Sequence, residues 1–446
     1  MVIAMALFDI WPKYGFDGNP YSQKTLPATA EGAALLAGRD DLLADAMERI
    51  ASDSASPTFE GPVGAGKTSL LNVAAYKLLE ASTDARAREL WLPAVGTIQI
   101  RLDGDEFEAE VYRIVLQTLI QHADKFEYVG LKAPNLDALE HWLTKPEYKS
   151  WQAGGGVPIL NLSGGGGHEP NTSDGFAKGG LPAAIRQVLA DAYDGNPGGV
   201  VCILDNLELA GKVGDATKML DILRDRVLGA PGIRWVLCGS RGIVSRARTQ
   251  RLSGEFMPPT RIPVLTEDAA VEAVRRRIER YGNERAIPPL TPESFRTLYR
   301  VLNQNLRDTM TWAQNFSFWL RGQFSDGSFP DESGRSEYLM IWLAEEAEKA
   351  TSTVRAQPAA WTFFERICRE GNGRAASSEF ETKYGFEDQQ QGSGYVTVFA
   401  NANLMVREVD PEDGRATINT VTAEGWLVFF SRNSYKLDGF ETASAE

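Results

Sequence analysis

Residues 59–71 read FEGPVGAGKTSLL, and Gly61 to Thr68 match the phosphate-binding pattern G-x-x-x-x-G-K-[ST] in full. Three glycines within six positions let the backbone curl with its N–H groups turned towards an anion. A helix predicted from Ser69 to Leu79 adds the positive end of its dipole at the same place. The run Pro57 to Phe59 is typical of a strand that ends at such a loop. The stretch therefore predicts a polyphosphate site at a strand-to-helix turn.

Two side chains of this stretch have distinct expected roles. Lys67 is expected to neutralise the β- and γ-phosphates of a bound nucleoside triphosphate, and Thr68 to give its hydroxyl to the Mg²⁺ that bridges them. ATP with Mg²⁺ is therefore the expected cofactor. The residues expected to contact the nucleotide in this stretch are Gly61, Pro62, Val63, Gly64, Ala65, Gly66, Lys67, Thr68 and Ser69.

The composition narrows the class of protein. Hydrophobic residues make up 43% of the chain and charged residues 24%, which is typical of a soluble globular protein. The net charge of −14 means that any contact with nucleic acid must come from a local basic patch. Three histidines without metal-ligand spacing argue against a zinc site, and three cysteines favour a reducing compartment. No window reaches 18 apolar residues, so the sequence predicts a cytoplasmic protein without a membrane span.

Strands and helices alternate after the phosphate-binding stretch. Val95 to Leu102 is predicted as a strand and Glu108 to His122 as a helix. Val200 to Asp205 is an apolar run that ends in an acid, and Arg234 to Cys238 is a further strand. This alternation predicts an α/β fold, a P-loop three-layer arrangement around a parallel sheet.

The acid at the end of the third predicted strand has an expected role at the metal. Parallel strands present ligand-binding groups at their C-terminal ends, so Asp205 is expected to hold Mg²⁺ through water. A strict version of the motif has a catalytic glutamate next, but here that residue is Asn206. Glu208 is either the catalytic base or a surface acid at the start of a helix. Both fast hydrolysis and slow or regulated hydrolysis of ATP therefore stay open.

The residues after the strand Arg234 to Cys238 are candidates for sensing the γ-phosphate. Ser240 and Arg241 follow a strand expected to lie between the two strands that bind the nucleotide. Arg246, Arg248 and Arg251 come next in an otherwise acidic chain. This basic run is either a solvated loop or the source of an arginine finger for a neighbouring subunit.

Two stretches interrupt the regular pattern. Residues 1–30 contain several prolines and glycines and are expected to lie as an irregular segment along the surface. From about 126 to 180 the chain is glycine-rich around a predicted short strand, Val157 to Leu162. This insertion is either an exposed hairpin or loop, or a contact element that faces a pore or a partner.

The C-terminal half is predicted to contain two smaller domains. Helices capped by Thr266 and Thr291, and a third that contains Arg307, predict a helical lid over residues 263–321. Residues 322–336 have the composition of a linker. Four predicted helices precede two β runs, Leu404 to Val409 and Ala416 to Val421, which is the pattern of a winged helix. The predicted domains are 1–262 for nucleotide binding, 263–321 for the lid and 337–446 for a linker helix and the winged helix.

With these parts in this order, about residues 31–432 resemble AAA+ ATPases of the initiator type, relatives of the origin-recognition and initiator-loader proteins. The resemblance implies ATP hydrolysis and assembly with itself or with a partner protein in replication, mobile-element or defence biology. The family's sensor-2 arginine lies in a G-x-x-R setting and touches the γ-phosphate. Arg307 is similar to it, although Asn305 and Leu306 precede it and the glycine is missing. Gly38 and Arg39 resemble the family's Gly-Arg pair that borders the adenine.

Two other interpretations stay open. STAND-type signalling ATPases have the same layout, and Asp205-Asn206-Leu207-Glu208 is similar to their D-x-L-D/E pattern, but Arg307 stands where they prefer proline. A winged-helix DNA-binding regulator with a degenerate ATPase is the third. Its predicted recognition helix, Tyr395 to Asn403, contains no lysine or arginine, and residues 355–446 hold 9 basic and 14 acidic residues. These charges favour a protein contact or self-association over DNA binding.

Overall fold

The inner strands of the central sheet, Gly198–Asp205 and Ile233–Gly239, are mostly apolar and buried. The structure is a computed structural model, which describes residues 9–52, 55–85, 88–99, 103–136, 147–149, 168–170, 180–205, 220–221, 224–240, 252, 254–324, 327–409 and 417–433. Two compact units are present. The sheet unit comprises the described residues of Thr25–Pro62 and Gly66–Pro263, and the helical unit those of Met1–Lys24, Val63–Ala65 and Val264–Glu446.

The sheet unit alternates strands and helices along the chain. Its elements are α1 (Ala30–Leu35), α2 (Asp40–Ala51), β1 (Thr58–Glu60), α3 (Lys67–Ala85), β2 (Leu90–Pro93), β3 (Ile98–Gln99), α4 (Gly104–Gln121), α5 (Ala123–Tyr128), β4 (Glu147–Lys149), β5 (His168–Pro170), α6 (Leu181–Ala192), β6 (Gly198–Asp205), β7 (Ile233–Gly239) and β8 (Thr260–Arg261).

Parallel pairing orders the main sheet as β2-β6-β7-β1-β8, and β3 also pairs with β6. Val200, Cys202 and Leu204 of β6 face a core that contains α4 and α6. Because successive side chains of a strand point to opposite faces, Val201 and Ile203 face the other side, where α2 and α3 pack together. The α/β fold with a parallel sheet between helical layers is as the sequence predicts.

One strand assignment from the sequence is wrong in its bounds. Val95 to Leu102 was expected as one strand, but the described strand there is only β3, Ile98–Gln99, and a separate strand, β2, precedes it at Leu90–Pro93. The Leu-Trp-Leu-Pro run of β2 is buried and pairs with β6. Four residues are too few for a strand periodicity to stand out. The expected strand Val157 to Leu162 lies outside the described residues, as do Glu208 and Arg241.

The helical unit follows a short 3₁₀ turn at Trp11–Tyr14. Its elements are α7 (Glu267–Tyr281), α8 (Pro292–Val301), α9 (Leu306–Gln323), α10 (Glu332–Ser352), α11 (Pro358–Glu370), β9 (Arg374–Ala376), α12 (Glu379–Thr382), α13 (Gln389–Asn401), β10 (Met405–Val409), β11 (Thr417–Val421) and α14 (Ala423–Asn433). The hydroxyls of Thr266 and Thr291 cap α7 and α8, as the sequence predicts.

The described part of the N-terminal segment does not lie merely along a surface, contrary to expectation. Trp11, Tyr14, Phe16 and Tyr21 are buried in the core of the helical unit. The ring of Tyr14 stacks on Phe329 at 4.3 Å, and its hydroxyl donates to a backbone carbonyl of α9 at 2.8 Å. This segment has little regular structure, so its burial comes from tertiary contacts that periodicity does not reveal.

A winged helix forms the end of the described chain. Helices α11, α12 and α13 precede an antiparallel sheet of order β10-β11-β9. Its core includes Phe364 and Phe399, whose rings lie 4.8 Å apart. The sequence predicts the three helices and the β10–β11 pair. The sequence does not predict β9 or α14. The helix predicted at 377–384 is shorter in the structure, where it spans Glu379–Thr382.

Candidate functional site

The phosphate-binding stretch forms a loop between β1 and α3, as predicted. Gly64 and Gly66 both have φ near +80°, a conformation that costs glycine little and other residues much more. The N–H of Gly61 donates to the carbonyl of Gly239 on β7 at 3.4 Å. Val63 is 57% exposed at the tip. The backbone therefore has the alternating turns that let successive N–H groups face an anion.

The ammonium group of Lys67 lies inside the curve of this loop. Its Nζ donates to the carbonyls of Gly61 at 3.0 Å and Pro62 at 2.9 Å. Lys67 is the first residue of α3, so its charge stands at the N-terminal end of that helix. Both the cation and the helix dipole thus favour negative charge at the loop.

Thr68 and Asp205 meet although they are far apart in the sequence. The hydroxyl of Thr68 donates to Oδ2 of Asp205 at 2.7 Å, and Asp205 is only 7% exposed at the end of β6. A hydroxyl and a carboxylate beside a phosphate loop are oxygen donors of the kind that Mg²⁺ prefers when phosphates and water complete its coordination. The pair that the sequence assigned to the metal therefore fits it chemically.

The place predicted for a γ-phosphate sensor follows β7. This strand lies between β6 and β1, and Gly239 is the register partner of Glu60, the residue just before the loop. Ser240, half-buried, comes directly after it. The position of the strand is confirmed, whereas sensing by Ser240 stays a prediction. Arg241 and Glu208 lie outside the described residues, so their roles also stay predictions.

Two predicted site residues have structural contacts that the sequence did not suggest. Arg39 is 6% exposed and donates from its guanidinium to the carbonyl of Pro263 at 2.6 Å. Gly38 precedes it with φ near +62°. The hydroxyl of Ser69 accepts from the N–H of Leu26 at 3.1 Å. Arg39 and Ser69 thus hold neighbouring chain segments, and their contacts with a nucleotide stay predictions.

Arg307 lies next to the loop residue Gly64 within the helical unit. A Cβ added to Gly64 would stand 3.5 Å from Cβ of Arg307 and would clash with Oδ1 of Asn305. Arg307 is exposed at the start of α9. Gln304 has φ near +57°, at the position where the family's G-x-x-R pattern has its glycine. The chain therefore makes a left-handed turn before α9 at a residue that is not glycine.

No helix among the described residues is long and apolar enough to cross a membrane. Neither a protein-family model nor a curated protein matches the chain.

Several solved structures are similar to this chain over most of its length. The ORC1 protein of Aeropyrum pernix in complex with DNA has 13% identity and a TM-score of 0.43, covering 94% of this chain and 97% of that one. The ORC2 protein of Aeropyrum pernix in ADPNP-ADP complexes has 11% identity and a TM-score of 0.43, covering 94% and 98%. A Walker-type ATPase of Pyrococcus abyssi has 11% identity and a TM-score of 0.44, covering 92% and 99%.

Proposed function

We propose that this chain is an ATP-binding AAA+ switch that hydrolyses ATP and assembles with itself or with a partner protein. The observation that supports it most is the hydrogen bond between Thr68 and Asp205 beside the loop that holds Lys67. Two residues 137 positions apart meet at the one place where the motif requires a metal-binding pair. The nucleic-acid-linked process, the cytoplasmic location and the domain boundaries stay proposals from the sequence.

Each residue of the site has a defined task in this proposal. Lys67 and the loop N–H groups bind the β- and γ-phosphates, and Thr68 with Asp205 hold the Mg²⁺. The bound metal would supply positive charge that offsets the charge of the phosphates. Arg307 and Ser240 report the γ-phosphate, and Gly38 and Arg39 border the adenine. Glu208 orients the attacking water, because Asn206 occupies the position where the strict motif has its glutamate.

Calorimetry with ATP and Mg²⁺ tests the binding site. We expect wild type to bind and Lys67→Ala to lose about a hundredfold or more in affinity, because a charged donor to phosphate is removed. Lys77→Ala is the matched control, since Lys77 lies on the same helix and pairs with Glu80 at the surface. Equal ATP affinity of Lys67→Ala and Lys77→Ala would contradict the proposal.

Hydrolysis and assembly need separate measurements. Glu208→Gln is expected to stop turnover and leave ATP binding intact, and unchanged turnover would assign the base to another residue. Size measurement with ADP and with a non-hydrolysable ATP analogue then separates an ATP-driven assembly from a STAND-like monomer that bound nucleotide holds inactive. Growth of the particle with the ATP analogue alone supports the switch proposed here.

We propose that the winged helix binds a protein surface and not duplex DNA. Helix α13, where such modules usually read DNA, contains no lysine or arginine. Three arginines elsewhere in the module are engaged internally: Arg366 with Glu370, Arg369 with Asn433, and Arg432 with the ring of Trp361. Phosphate neutralisation supplies most of the affinity for DNA, so tight duplex binding at about 150 mM salt would overturn this part.

A further inference from the structure

The turn before α9 is held in an unusual conformation. Asn303 and Gln304 have φ near +50° and +57°, which is costly for residues with a side chain. Their N–H groups donate to the carbonyls of Arg300 at 3.1 Å and Tyr299 at 2.8 Å on α8. Tyr299 is fully buried, and its hydroxyl donates to the carbonyl of Leu265 at 2.9 Å. The turn is therefore anchored on the core of the helical unit and fixes where the next residue lies.

The side-chain amide of that next residue, Asn305, makes three hydrogen bonds. Its Oδ1 accepts from the N–H groups of Arg307 at 3.1 Å and Asp308 at 3.3 Å, which caps α9. Its Nδ2 donates to Oδ2 of Asp308 at 2.6 Å. These three hydrogen bonds fix the plane and the rotamer of the amide.

The fixed carboxamide packs directly on the phosphate loop. A Cβ on Gly64 would stand 3.0 Å from Cγ of Asn305 and would clash with Oδ1, so only a glycine allows this approach. The same Oδ1 accepts from the N–H groups of the first turn of α9. A displacement of Gly64 would therefore move Asn305, and with it the backbone of Arg307. The same contact fixes the distance between Gly64 and the base of the Arg307 side chain.

From this arrangement we propose that Asn305 is a positioning residue for the recognition of the γ-phosphate. Its amide transmits the conformation of the loop at Gly64 to the start of α9 and so places Arg307 for a nucleoside triphosphate. A diphosphate lacks the group that Arg307 would contact, so its binding does not depend on this placement. The inference rests on the proposed function, because it requires a nucleotide in the loop.

The test compares affinities for ADP and for a non-hydrolysable ATP analogue by calorimetry. In Asn305→Ala we expect the preference for the triphosphate to fall about fivefold or more, which is within the range of coupling between residues in contact. The affinity for ADP should change less than about twofold, since uniform binding is not affected. An unchanged preference for the triphosphate would overturn the inference.

Two matched variants separate positioning from simple loss of a helix cap. Asn305→Ser keeps an oxygen that can cap α9 but is too short to pack on Gly64, so we expect stability near wild type and the same loss of preference as in Asn305→Ala. Thr266 caps α7, since its hydroxyl accepts from the N–H of Ala269 at 3.3 Å, and Thr266→Ala removes this cap. It should lower stability and leave the preference unchanged. A wild-type preference in Asn305→Ser would overturn the inference.

A double-mutant cycle tests the contact itself. Gly64→Ala is expected to weaken binding of the ATP analogue, and the loss should be smaller by about threefold or more when Asn305 is already alanine, because the clash with Oδ1 is gone. Additive losses would overturn the inference. If wild type binds ATP through Lys67 and only the Asn305 results fail, the proposed function stands alone. If wild type binds no ATP, both fall together.

Discussion

Two left-handed turns of this molecule lead into helices with candidate functional residues, and they are built from different residues. The phosphate loop takes positive φ at Gly64 and Gly66, where no side chain is present. The turn before α9 takes positive φ at Asn303 and Gln304, and Asn305 then caps the helix with its own amide. The first turn has no side chain at its left-handed positions. The second bonds two of its N–H groups to carbonyls of α8 and caps the next helix with the side chain of Asn305.

The difference indicates which measurement should respond to a change in each turn. A glycine-rich phosphate loop gains hydrogen bonds from a bound anion, so substitutions there should act mainly on the affinity for the nucleotide. A turn that satisfies its own polar groups adds to the stability of the folded chain, so substitutions there should act mainly on the free energy of unfolding. Asn305 belongs to both classes, because it packs on Gly64.

After Lys67→Ala, the largest effect on ATP affinity is expected for Thr68→Val beside the phosphate loop. The change keeps the shape but removes the hydroxyl that donates to the buried carboxylate of Asp205. The same hydroxyl is the proposed ligand of Mg²⁺. Its loss should cost about as much as a hydrogen bond to a charged group, about 1.5–3 kcal/mol, so affinity for ATP with Mg²⁺ should fall about 10- to 100-fold. Thr83→Val on the same helix is the control, since its hydroxyl donates to the carbonyls of Leu79 and Glu80 within α3. Calorimetry with and without Mg²⁺ gives the result, and equal losses in both conditions would contradict a role at the metal.

A second, smaller effect is expected for Gly66→Ala. An added Cβ would meet no atom of the protein within 4 Å, so the cost is conformational and arises from φ near +80°. That cost is about 1–2 kcal/mol, which should lower ATP affinity about tenfold. Gly96→Ala is the control, because a Cβ there also meets open space but without the left-handed φ. Wild-type ATP affinity in Gly66→Ala would contradict the conclusion that substitutions in the phosphate loop act mainly on nucleotide binding.

The sequence predicts the sheet and places Thr68 and Asp205 at one site because both predictions follow from local patterns. The apolar run ending at Asp205 gives a buried strand whose acid must lie at the ligand-binding edge. The glycine spacing around Lys67 defines the loop. The order of β6, β7 and β1 then follows from the usual packing of such sheets, and the structure confirms it.

The helical unit is less predictable because its decisive features are tertiary. Trp11 and Tyr14 have no periodic partners in the sequence, yet both are buried among helices nearly 300 residues later. The left-handed turn at Gln304 cannot be predicted from the sequence, because glutamine seldom adopts positive φ and a motif search looks for glycine there. The contact of Asn305 with Gly64 depends on that turn and so is not visible in the sequence either.

In the turn before α9, Gln304→Gly is expected to stabilise the protein. Glycine adopts φ near +57° without the steric cost of a side chain, and its greater freedom in the unfolded state removes part of the gain. We expect the free energy of unfolding to rise by about 0.5–1 kcal/mol in urea titrations, with ATP affinity unchanged. Asn303→Gly is the matched control and should gain less, because asparagine tolerates the left-handed region better than glutamine. A loss of stability in Gln304→Gly would contradict the assigned turn.

The smallest effect is expected for Asp308→Asn, beside the amide of Asn305. Burial, and then the negative charge of Glu424 on α14, raise the pKa of Asp308 although Arg307 lowers it. A carboxyl with a raised pKa in the folded state contributes stability that is fully present at a pH below its unfolded value and is lost as the pH rises through the folded value. Asparagine resembles the neutral form and can still accept from Asn305, so at pH 7 the variant should be more stable by a few tenths of a kcal/mol. Urea titrations across pH should show the two proteins converging below about pH 4, where Asp308 is protonated in both states. A variant that is less stable than wild type at pH 7 would show that the charge of Asp308 supports the first turn of α9, and that this turn does not satisfy its polar groups in the way proposed.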